Sequence, residues 1–261
     1  MELNRARILL TGASGGLGAA LARELAARGA ALLLTGRDPE RLEAAARAAG
    51  GRETRTLAAD LGGAQGIADL AEAACRFEAN VLINNAGVMA FGLFEDQDWA
   101  RAADVLETNL LAPLRLTHAL LPWLKGRDEA AVVNVGSTFG SLPFPGFAAY
   151  SAAKAGLRGF SQALRRELAD SPVRVIHIAP RAIATPLNPP RVEALNRALG
   201  SRSDPPEAVA RQIADTLAAG HPERHIGFPE RLFAWLNGSA PGLIDRALAS
   251  KLAVVKHHAT R

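Results

Sequence analysis

The sequence has a single cysteine, Cys75, so the chain cannot form an internal disulfide, which fits a reducing compartment. It lacks any run of the ~20 apolar residues that a membrane-spanning helix needs. The first residues lead from Met1 straight into a predicted strand, which leaves no room for a secretory signal. We therefore expect a cytoplasmic protein. The net charge is only +4, and no basic stripe stands out, so we expect no nucleic-acid partner.

Aromatic residues are scarce as well, at 5% of the chain against 49% hydrophobic residues in all, so the core must consist of Ala, Leu, Val and Ile. Short apolar runs alternate with helical patterns, which is typical of a parallel sheet covered by helices on both faces. The predicted strands lie near Arg7–Thr11, Ala31–Thr35, Thr54–Ala58, Val81–Asn84, Ala131–Val135, Val173–Ile178 and Arg224–Gly227. The predicted helices lie near Gly16–Arg28, Pro39–Ala49, Gln65–Arg76, Trp99–Leu124, Tyr150–Ala169 and Pro206–Ala218.

A glycine-rich turn follows the first predicted strand and opens the first predicted helix, which is the setting of a dinucleotide-binding turn. Glycines let the backbone approach a pyrophosphate, and the helix amino terminus offers that anion unpaired N–H groups. The residues assigned to this role are Gly12, Ser14, Gly15, Gly16, Leu17 and Gly18. Two glycine spacings fit, one through Gly15 and one through Gly16, and an ordinary strand-to-helix turn is the alternative. The sequence thus predicts an α/β protein with a single-domain Rossmann fold, whose doubly wound, mostly parallel seven-stranded sheet carries helices on both faces.

The end of the second predicted strand indicates which coenzyme is preferred. An acidic residue there would accept hydrogen bonds from the adenosine ribose and repel a 2′-phosphate. This chain has Gly36 followed by Arg37, whose guanidinium can pair with a phosphate dianion. We therefore expect NADP(H) to be preferred over NAD(H). The alternative is a solvated Arg37 beside Asp38, which caps the helix that begins at Pro39.

Tyr150, the only tyrosine, and Lys154 lie one turn apart on the same face of a predicted helix. A phenol with a pKa of ~10 is a poor acid-base catalyst at neutral pH, and a nearby ammonium would lower that pKa by stabilising the phenolate. A Tyr and a Lys at this spacing also arise by chance, so a purely structural role is the alternative.

Five features in sequence order together resemble the short-chain dehydrogenase/reductase family. They are the glycine-rich turn, Asn84-Asn85-Ala86-Gly87 after the fourth strand, Asn109 in the long helix, Ser137 after the fifth strand, and the pair Tyr150 and Lys154. The resemblance runs from about residue 5 to about residue 228. The compact chain is similar to the oxidoreductase branch of that family rather than to its longer branch of sugar epimerases and dehydratases.

The resemblance implies a role for each matching residue. Tyr150 would exchange a proton with the carbonyl oxygen as hydride moves to or from the nicotinamide, and Ser137 would hydrogen-bond the same oxygen. Lys154 would bind the nicotinamide ribose and lower the tyrosine pKa, while Asn109 would hold a water in a proton relay. The further coenzyme contacts implied are Asp60, Leu61, Asn85, Ala86, Gly87, Pro180, Ile183 and Thr185, with Asp60 at the adenine and Asn85 on the adenosine ribose side. The alternatives are a strand-end turn for Ser137, hydrogen-bonding turn residues at Asn84 and Asn85, and a buried Asn109 satisfied by backbone groups.

The segment after the sixth strand departs from the family pattern. Where the family has Pro-Gly, this chain has Pro180-Arg181, and Arg181 costs backbone freedom beside the nicotinamide. Residues 185–206 are rich in proline around a short helical stretch, Val192–Leu199, and we interpret them as a mobile flap over the site. We expect residues 1–228 to form the coenzyme-binding and catalytic unit, and residues 229–261 to extend the same domain.

Apolar residues gather where a substrate should lie, and they favour a lipophilic ketone or aldehyde, with ordinary core packing as an equal alternative. The pocket residues are Met89, Phe139, Phe144, Phe147 and Leu187. The tail carries an apolar group at Leu232–Leu236 near basic residues, which we expect to cover its own core or a second subunit, with a membrane surface as the alternative. We interpret His257 and His258 as a frayed end rather than metal ligands, so no metal site is expected.

The leading hypothesis is therefore that the protein is an enzyme, an NADP-dependent reductase of a lipophilic ketone or aldehyde. The same site would also catalyse the reverse reaction, oxidation of the alcohol. Helical faces suited to pairing make it a homodimer or homotetramer. Two alternatives belong to other classes of function. One is a non-catalytic protein that senses NADPH, and the other is a peripheral-membrane lipid reductase that differs only in its use of the tail.

Overall fold

Seven parallel strands form one sheet at the centre of the computed structural model, which describes residues 1–259. The strands are β1 (Arg7–Thr11), β2 (Ala31–Gly36), β3 (Thr54–Ala58), β4 (Val81–Asn84), β5 (Ala130–Val135), β6 (Val173–Pro180) and β7 (Glu223–Ile226). They lie in the order β3-β2-β1-β4-β5-β6-β7, and each neighbouring pair is parallel. The order reverses between β1 and β4, where a crevice opens at the carboxyl ends of the strands.

Helices cover both faces of the sheet. They are α1 (Gly16–Ala27), α2 (Pro39–Ala49), α3 (Ala64–Arg76), α4 (Trp99–Leu106), α5 (Ala112–Lys125), α6 (Ala148–Glu167), α7 (Pro190–Ala198), α8 (Pro206–Ala219), α9 (Glu230–Ser239), α10 (Pro241–Ala249) and α11 (Leu252–Ala259). In β1, Ile8 and Leu10 pack into the core with α1 and α8, whereas Leu9 points to the opposite core with α3 and α5. Such alternation on a sheet buried on both sides confirms the doubly wound Rossmann fold.

The observed boundaries lie close to the predicted ones where local chemistry marks them. At the start of α2, the Asp38 side chain accepts a hydrogen bond from the Arg41 backbone N–H (3.1 Å), and Pro39 takes the first helical position. The helix ends at Gly50, whose φ of 62° is in the left-handed region. By contrast, α6 begins at Ala148, two positions before the predicted start at Tyr150.

The predicted helical segment Trp99–Leu124 is helical along its whole length, but it is not one regular α-helix. Residues Glu107–Leu111 form a π-helical turn between α4 and α5, in which the Ala112 N–H bonds to the Glu107 carbonyl. Pro113 gives the physical reason, because it has no N–H to bond the carbonyl of Asn109 four residues earlier, and its ring clashes with that carbonyl. Asn109 thus lies in a π turn rather than in the middle of an α-helix.

The chain after β7 forms three helices. The helix α11 extends through His257 and His258 to Ala259, so the prediction of a frayed end at the two histidines is wrong; Thr260 and Arg261 lie outside the described residues. In α9, Leu232 and Trp235 are 50% and 67% exposed and do not cover the chain's own core. Within residues 1–259, no helix combines the length and apolar composition needed to cross a bilayer.

Candidate active site

The predicted site residues follow the carboxyl ends of the parallel strands, and the sheet brings these ends to one edge. The glycine-rich turn follows β1, and the run from Asn84 to Gly87 closes β4. Ser137 lies two residues after β5, and Pro180 ends β6. Ligands of open parallel sheets bind outside this edge, at the point where the strand order reverses.

The glycine-rich turn is held against the end of β4. Gly12 has a φ of 65°, and a Cβ there would lie 2.7 Å from Ala86 Cα. The Asn85 side-chain amide donates to the carbonyls of Thr11 (2.9 Å) and Gly12 (3.3 Å). Asn85 was predicted as a contact on the adenosine ribose side. In the structure its side-chain amide N–H groups hydrogen-bond the turn and hold its shape.

The far side of the turn meets the segment that follows β6. A Cβ at Gly16 would lie 2.7 Å from Thr185 Cβ, and Pro186 is close behind it. Leu17, also predicted as a coenzyme contact, is half-buried against the core. The turn thus packs closely against Thr185, and only glycine at position 16 lets the two come this near. A glycine-rich turn at the amino terminus of α1 fits the backbone site that a pyrophosphate needs.

The end of β2 places two arginines beside the turn. A Cβ at Gly36 would lie 2.9 Å from Ser14 Oγ, and Arg37 next to it is exposed. Arg41, one helical turn later in α2, donates from Nη2 to the Ser14 carbonyl at 3.4 Å. Sequence reasoning missed Arg41, because it lies inside the predicted helix that begins at Pro39 and nothing in that pattern connects it to Ser14.

The loop after β3 carries the residues expected at the adenine. Asp60 is exposed, and its Oδ1 accepts the Gly62 backbone N–H at 3.1 Å. Leu61 is half-buried against the core on the α3 side of the sheet. These contacts set the shape of the loop beside the end of β2, with which β3 pairs at Gly36 and Ala58.

The structure brings Tyr150, Lys154 and Ser137 together. Tyr150 and Lys154 are only 7% and 4% exposed, and the lysine Nζ lies 5.7 Å from the centre of the tyrosine ring. Ser137 lies close enough to the Tyr150 hydroxyl to affect its pKa, and its Oγ accepts the Phe139 backbone N–H at 3.1 Å. Lys154 Nζ donates to the Val135 carbonyl at 2.9 Å. A buried phenol and a buried ammonium therefore lie beside a half-buried hydroxyl at the end of β5.

Burial sets the protonation of this group. It raises the pKa of the Tyr150 phenol to about 12, and the hydrogen bond with Ser137 only partly opposes that rise. Burial also lowers the pKa of the Lys154 ammonium to about 8. Burial dominates both pKa values in the protein alone, because removal of both groups from water disfavours the charge on each, and the lowering of the tyrosine pKa by Lys154 stays a prediction.

Asn109 is completely buried beside the lysine. Its Nδ2 donates to the carbonyls of Val88 and Val105, each at 2.8 Å. Its Oδ1 has no hydrogen-bond partner, although it is buried. A Cβ at Gly87 would lie 2.7 Å from this oxygen and 3.9 Å from Lys154 Nζ. A water molecule or a ligand hydroxyl at this point would satisfy both groups, which fits the predicted relay.

A buried histidine supports the strand end that carries Ser137. His177 in β6 is fully buried, and a Cβ at Gly136 would lie 2.8 Å from its Cε1. Burial lowers the pKa of His177 to about 3, so the ring is neutral. Sequence reasoning missed this contact, because nothing in the linear pattern connects the two positions. Glycine at 136 is needed for the ring to fit beneath the catalytic loop.

Arg181 turns its side chain away from the coenzyme side. Its guanidinium makes two hydrogen bonds to Asp204, at 2.9 and 2.7 Å, and an ion pair with Glu230 at 3.4 Å. Asp204 also pairs through its backbone with Ala182 and Ala184. Arg181 was expected to restrict the backbone. Its side chain also acts as a clamp, because it joins the segment after β6 to Asp204 at the end of the flap and to Glu230 at the start of α9.

Aromatic rings extend from Tyr150 into an apolar cluster. The Phe139 ring meets Tyr150 edge-on at 6.3 Å and Phe147 at 5.0 Å, and Phe144 stacks on Phe139 at 5.6 Å. Phe91 joins them, with its ring centre 4.9 Å from that of Phe147. Of the predicted pocket residues, Met89, Phe139, Phe144 and Phe147 belong to this cluster. Leu187 does not, because it is 41% exposed on the flap.

Fold and site together define a dinucleotide-binding oxidoreductase of the Rossmann class. The family model described as short chain dehydrogenase matches residues 6–196. The chain belongs to the short-chain dehydrogenase/reductase family, which acts on alcohol and carbonyl groups with a nicotinamide coenzyme.

Curated relatives span most of the chain. Nodulation protein G of Rhizobium sp. (strain N33) is 37% identical over 213 residues, covering 77% of this chain and 84% of the relative. Dehydrogenase/reductase SDR family member 7B of Bos taurus is 34% identical, covering 95% and 82%. The 3-oxoacyl-[acyl-carrier-protein] reductase FabG of Escherichia coli (strain K12) is 34% identical, covering 68% and 73%.

Solved structures share the fold along nearly the whole chain. A short chain dehydrogenase from Burkholderia cenocepacia J2315, solved in complex with NADP, superposes with a TM-score of 0.81 at 26% identity, covering 95% of this chain and 99% of that one. A family member from Burkholderia phymatum gives a TM-score of 0.84 at 23% identity, covering 93% and 96%, and this likeness concerns the fold alone.

Proposed function

We propose that this protein is an NADPH-preferring reductase of lipophilic ketones or aldehydes, with Tyr150 as its proton donor. The observation that carries the proposal is the buried pair Tyr150 and Lys154, with the half-buried Ser137 near the phenol, at the edge where the glycine-rich turn lies. Residues 1–228 form the coenzyme-binding and catalytic unit in this proposal, and residues 229–261 extend the same domain.

The coenzyme would lie along the edge of the sheet. The backbone of Gly12, Gly15, Gly16 and Gly18 would cradle its pyrophosphate at the amino terminus of α1. Gly87, Lys154 and Thr185 lie further along the same edge, where the nicotinamide ribose and carboxamide would be held. When bound, the nicotinamide supplies or accepts a hydride at the substrate carbon.

Tyr150 supplies the proton in the direction of reduction. With a pKa of about 12, the phenol is fully protonated at neutral pH and can donate its proton to the carbonyl oxygen as negative charge develops there. Ser137 would donate a second hydrogen bond to that oxygen. Lys154 is charged below its pKa of about 8 and would return a proton to the Tyr150 phenolate, while a water held by the free lone pairs of Asn109 Oδ1 would resupply the lysine.

The preference for NADPH rests on the two arginines at the end of β2. Arg37 is exposed beside Gly36, and Arg41 donates to the Ser14 carbonyl, so both residues lie at the end of β2, where an adenosine 2′-phosphate would be held. No carboxylate occupies the position of Gly36 to repel that phosphate. The Burkholderia cenocepacia relative in complex with NADP is consistent with this proposal.

The aromatic cluster supports a lipophilic substrate. Phe139, Phe144 and Phe147 pack beside Tyr150, and apolar surroundings of this kind favour an apolar substrate. A homodimer or homotetramer is also proposed, because Leu232 and Trp235 expose apolar surface that a second copy could cover.

The coenzyme preference is tested with a carbonyl panel assayed with NADPH and with NADH. We expect Arg37→Ala and Arg41→Ala each to raise KM for NADPH by about 10-fold or more, because each removes a charge-assisted contact of about 1.5–3 kcal/mol, and to leave KM for NADH nearly unchanged. Arg47→Ala, another exposed arginine of α2, is the matched control. Turnover by the unchanged protein with NADH at least equal to that with NADPH would overturn the preference.

The catalytic role of Tyr150 is tested with Tyr150→Phe. We expect kcat to fall by about 100- to 10,000-fold, the usual contribution of a positioned general acid, while NADPH binding measured by fluorescence titration is retained. Retained turnover in this variant would contradict the role. NADPH binding without turnover by the unchanged protein on the whole carbonyl panel would favour the non-catalytic sensor instead.

A further inference from the structure

A cavity of about 520 Å³ opens at the β7 edge of the sheet, between β7, α6 and α9. Its volume is that of a binding site for a small organic molecule. Arg158 of α6 and the β7 residues Glu223 and His225 form part of its wall. Of the described residues that line it, none was assigned above to catalysis, the coenzyme or the substrate, so the cavity is separate from the candidate active site.

Two residues of the cavity wall have a buried polar atom without a hydrogen-bond partner among residues 1–259. One atom is Oγ of Ser141, a residue that is only 8% exposed. The other is His225 Nδ1, whose ring also places Nε2 at 3.3 Å from Glu223 Oε1. Because a carboxylate only accepts, the ring proton lies on Nε2, and Nδ1 is left as an acceptor. A buried polar atom is costly to leave unbonded, so both atoms indicate a ligand.

The charges around the cavity sum to one positive charge. Arg158 Nε donates to Glu223 Oε1 at 2.8 Å, so this cation and this anion offset each other. Burial lowers the pKa of His225, which leaves its ring neutral at neutral pH. Arg231, exposed at the start of α9, also lines the cavity, and within the described part of the chain no hydrogen bond or ion pair engages its guanidinium. The cavity therefore complements a ligand with a single negative charge.

The rest of the wall is apolar and partly aromatic. Phe228, Leu232 and Trp235 line the cavity and are 74%, 50% and 67% exposed. Large apolar side chains grouped at the surface in this way mark a binding surface, and two rings favour a flat aromatic ligand that can pack against them. An aromatic ring would thus cover this wall while its polar groups reach the cation and the two unbonded atoms.

We propose that this cavity is a second binding site, which takes an aromatic monocarboxylate that also carries a hydroxyl group. The carboxylate binds Arg231, and the ring packs against Phe228 and Trp235. The hydroxyl bonds to Ser141 Oγ or to His225 Nδ1. This site does not depend on the proposed reductase function, because it shares no residue with the candidate active site.

The test is isothermal titration of the purified protein with para-hydroxycinnamate, with and without saturating NADPH. We expect one bound molecule per chain and the same affinity in both conditions. Arg231→Ala should weaken binding by about 10-fold or more, because it removes the charge-assisted contact to the carboxylate. Arg246→Ala, another exposed arginine that follows α9, is the matched control and should bind like the unchanged protein.

Cinnamate, which lacks the hydroxyl, tests the two unbonded atoms. The unchanged protein should bind it about 2- to 10-fold more weakly than para-hydroxycinnamate, as expected for one hydrogen bond. This difference should disappear in either Ser141→Ala or His225→Phe, whichever removes the partner of the hydroxyl. The titration gives the number of competent chains separately from the affinity, so partial unfolding of a variant is not mistaken for weaker binding.

Saturable binding that Arg231→Ala weakens and Arg246→Ala leaves unchanged supports the site. The absence of saturable binding, as when a second copy of the chain fills the cavity, overturns it. So does displacement of the ligand by NADPH, or an equal loss of affinity in the two arginine variants. A preference for the hydroxylated probe that persists in both Ser141→Ala and His225→Phe overturns the assignment of the hydroxyl.

Discussion

Replacing Arg181 by methionine should destabilise the protein, because it leaves the Asp204 carboxylate without its partner. The two side chains are only 15% and 19% exposed, and they are joined by two hydrogen bonds. Removing one member of a fully buried pair costs about 3–5 kcal/mol, whereas exposed pairs contribute about 0–1 kcal/mol. For this partly buried pair we expect a loss of about 2 kcal/mol, which lowers the melting temperature of a chain of this size by about 4–8 °C.

The measurement is thermal and urea unfolding of Arg181→Met, Asp204→Asn and the double variant. The double variant should be more stable than the sum of the two single losses predicts, with a coupling of about 1–2 kcal/mol. Arg23→Met is the control, since its ion pair with Glu207 is 44% and 55% exposed and its removal should change stability by less than about 0.5 kcal/mol. Equal losses for Arg181→Met and Arg23→Met, or strict additivity in the double variant, would refute the clamp.

Two further predictions concern the buried groups around Ser137. Because burial lowers the pKa of Lys154 from 10.5 to about 8, the unfolded chain binds more protons than the folded protein between these values, so this lysine's contribution to stability rises with pH. The free energy of unfolding in urea is measured for the unchanged protein and for Lys154→Met at about pH 7 and about pH 9.5. From the lower to the higher pH, the unchanged protein should gain stability relative to the variant. A relative stability that stays constant or falls would contradict the lowered pKa of Lys154. Gly136→Ala should cost about 1–3 kcal/mol, because the added methyl meets the His177 ring, and adding His177→Ala should recover part of that loss. A double variant no more stable than Gly136→Ala would show that the ring is not what the methyl meets.

The sheet could be predicted closely from the sequence because its strands are short apolar runs bounded by turn residues. The strand β4, for example, is buried along its whole length and ends at Asn84, as its composition indicates. The candidate catalytic residues could also be located from the sequence. Ser137 follows a strand end, and Tyr150 and Lys154 share a helix face, so their spacing in the sequence indicates their positions.

The remaining features depend on contacts between distant parts of the chain. Arg181 was predicted only to restrict the backbone, because its partners lie 23 and 49 positions away. His257 and His258 were predicted as a frayed end, but they lie in α11, whose Val255 is buried by the flap and by the loop before α6 rather than by any local pattern. The raised pKa of Tyr150 could not be predicted either. The spacing of Tyr150 and Lys154 shows that a charge is near the phenol, but it does not show how completely the fold buries the phenol away from water.

The π turn at Glu107–Leu111 contains one residue more than an α-helical turn over the same span, so it is equivalent to a single-residue insertion in a helix. Because the wide turn takes up the extra residue within itself, α4 and α5 on either side keep the faces that they bury. Deleting one residue there would therefore leave the two helices in phase and change the turn alone, including the direction of the Asn109 side chain. Pro113 would still lack the N–H of a regular α-helix, so the extra residue belongs to Asn109 rather than to the path of the chain.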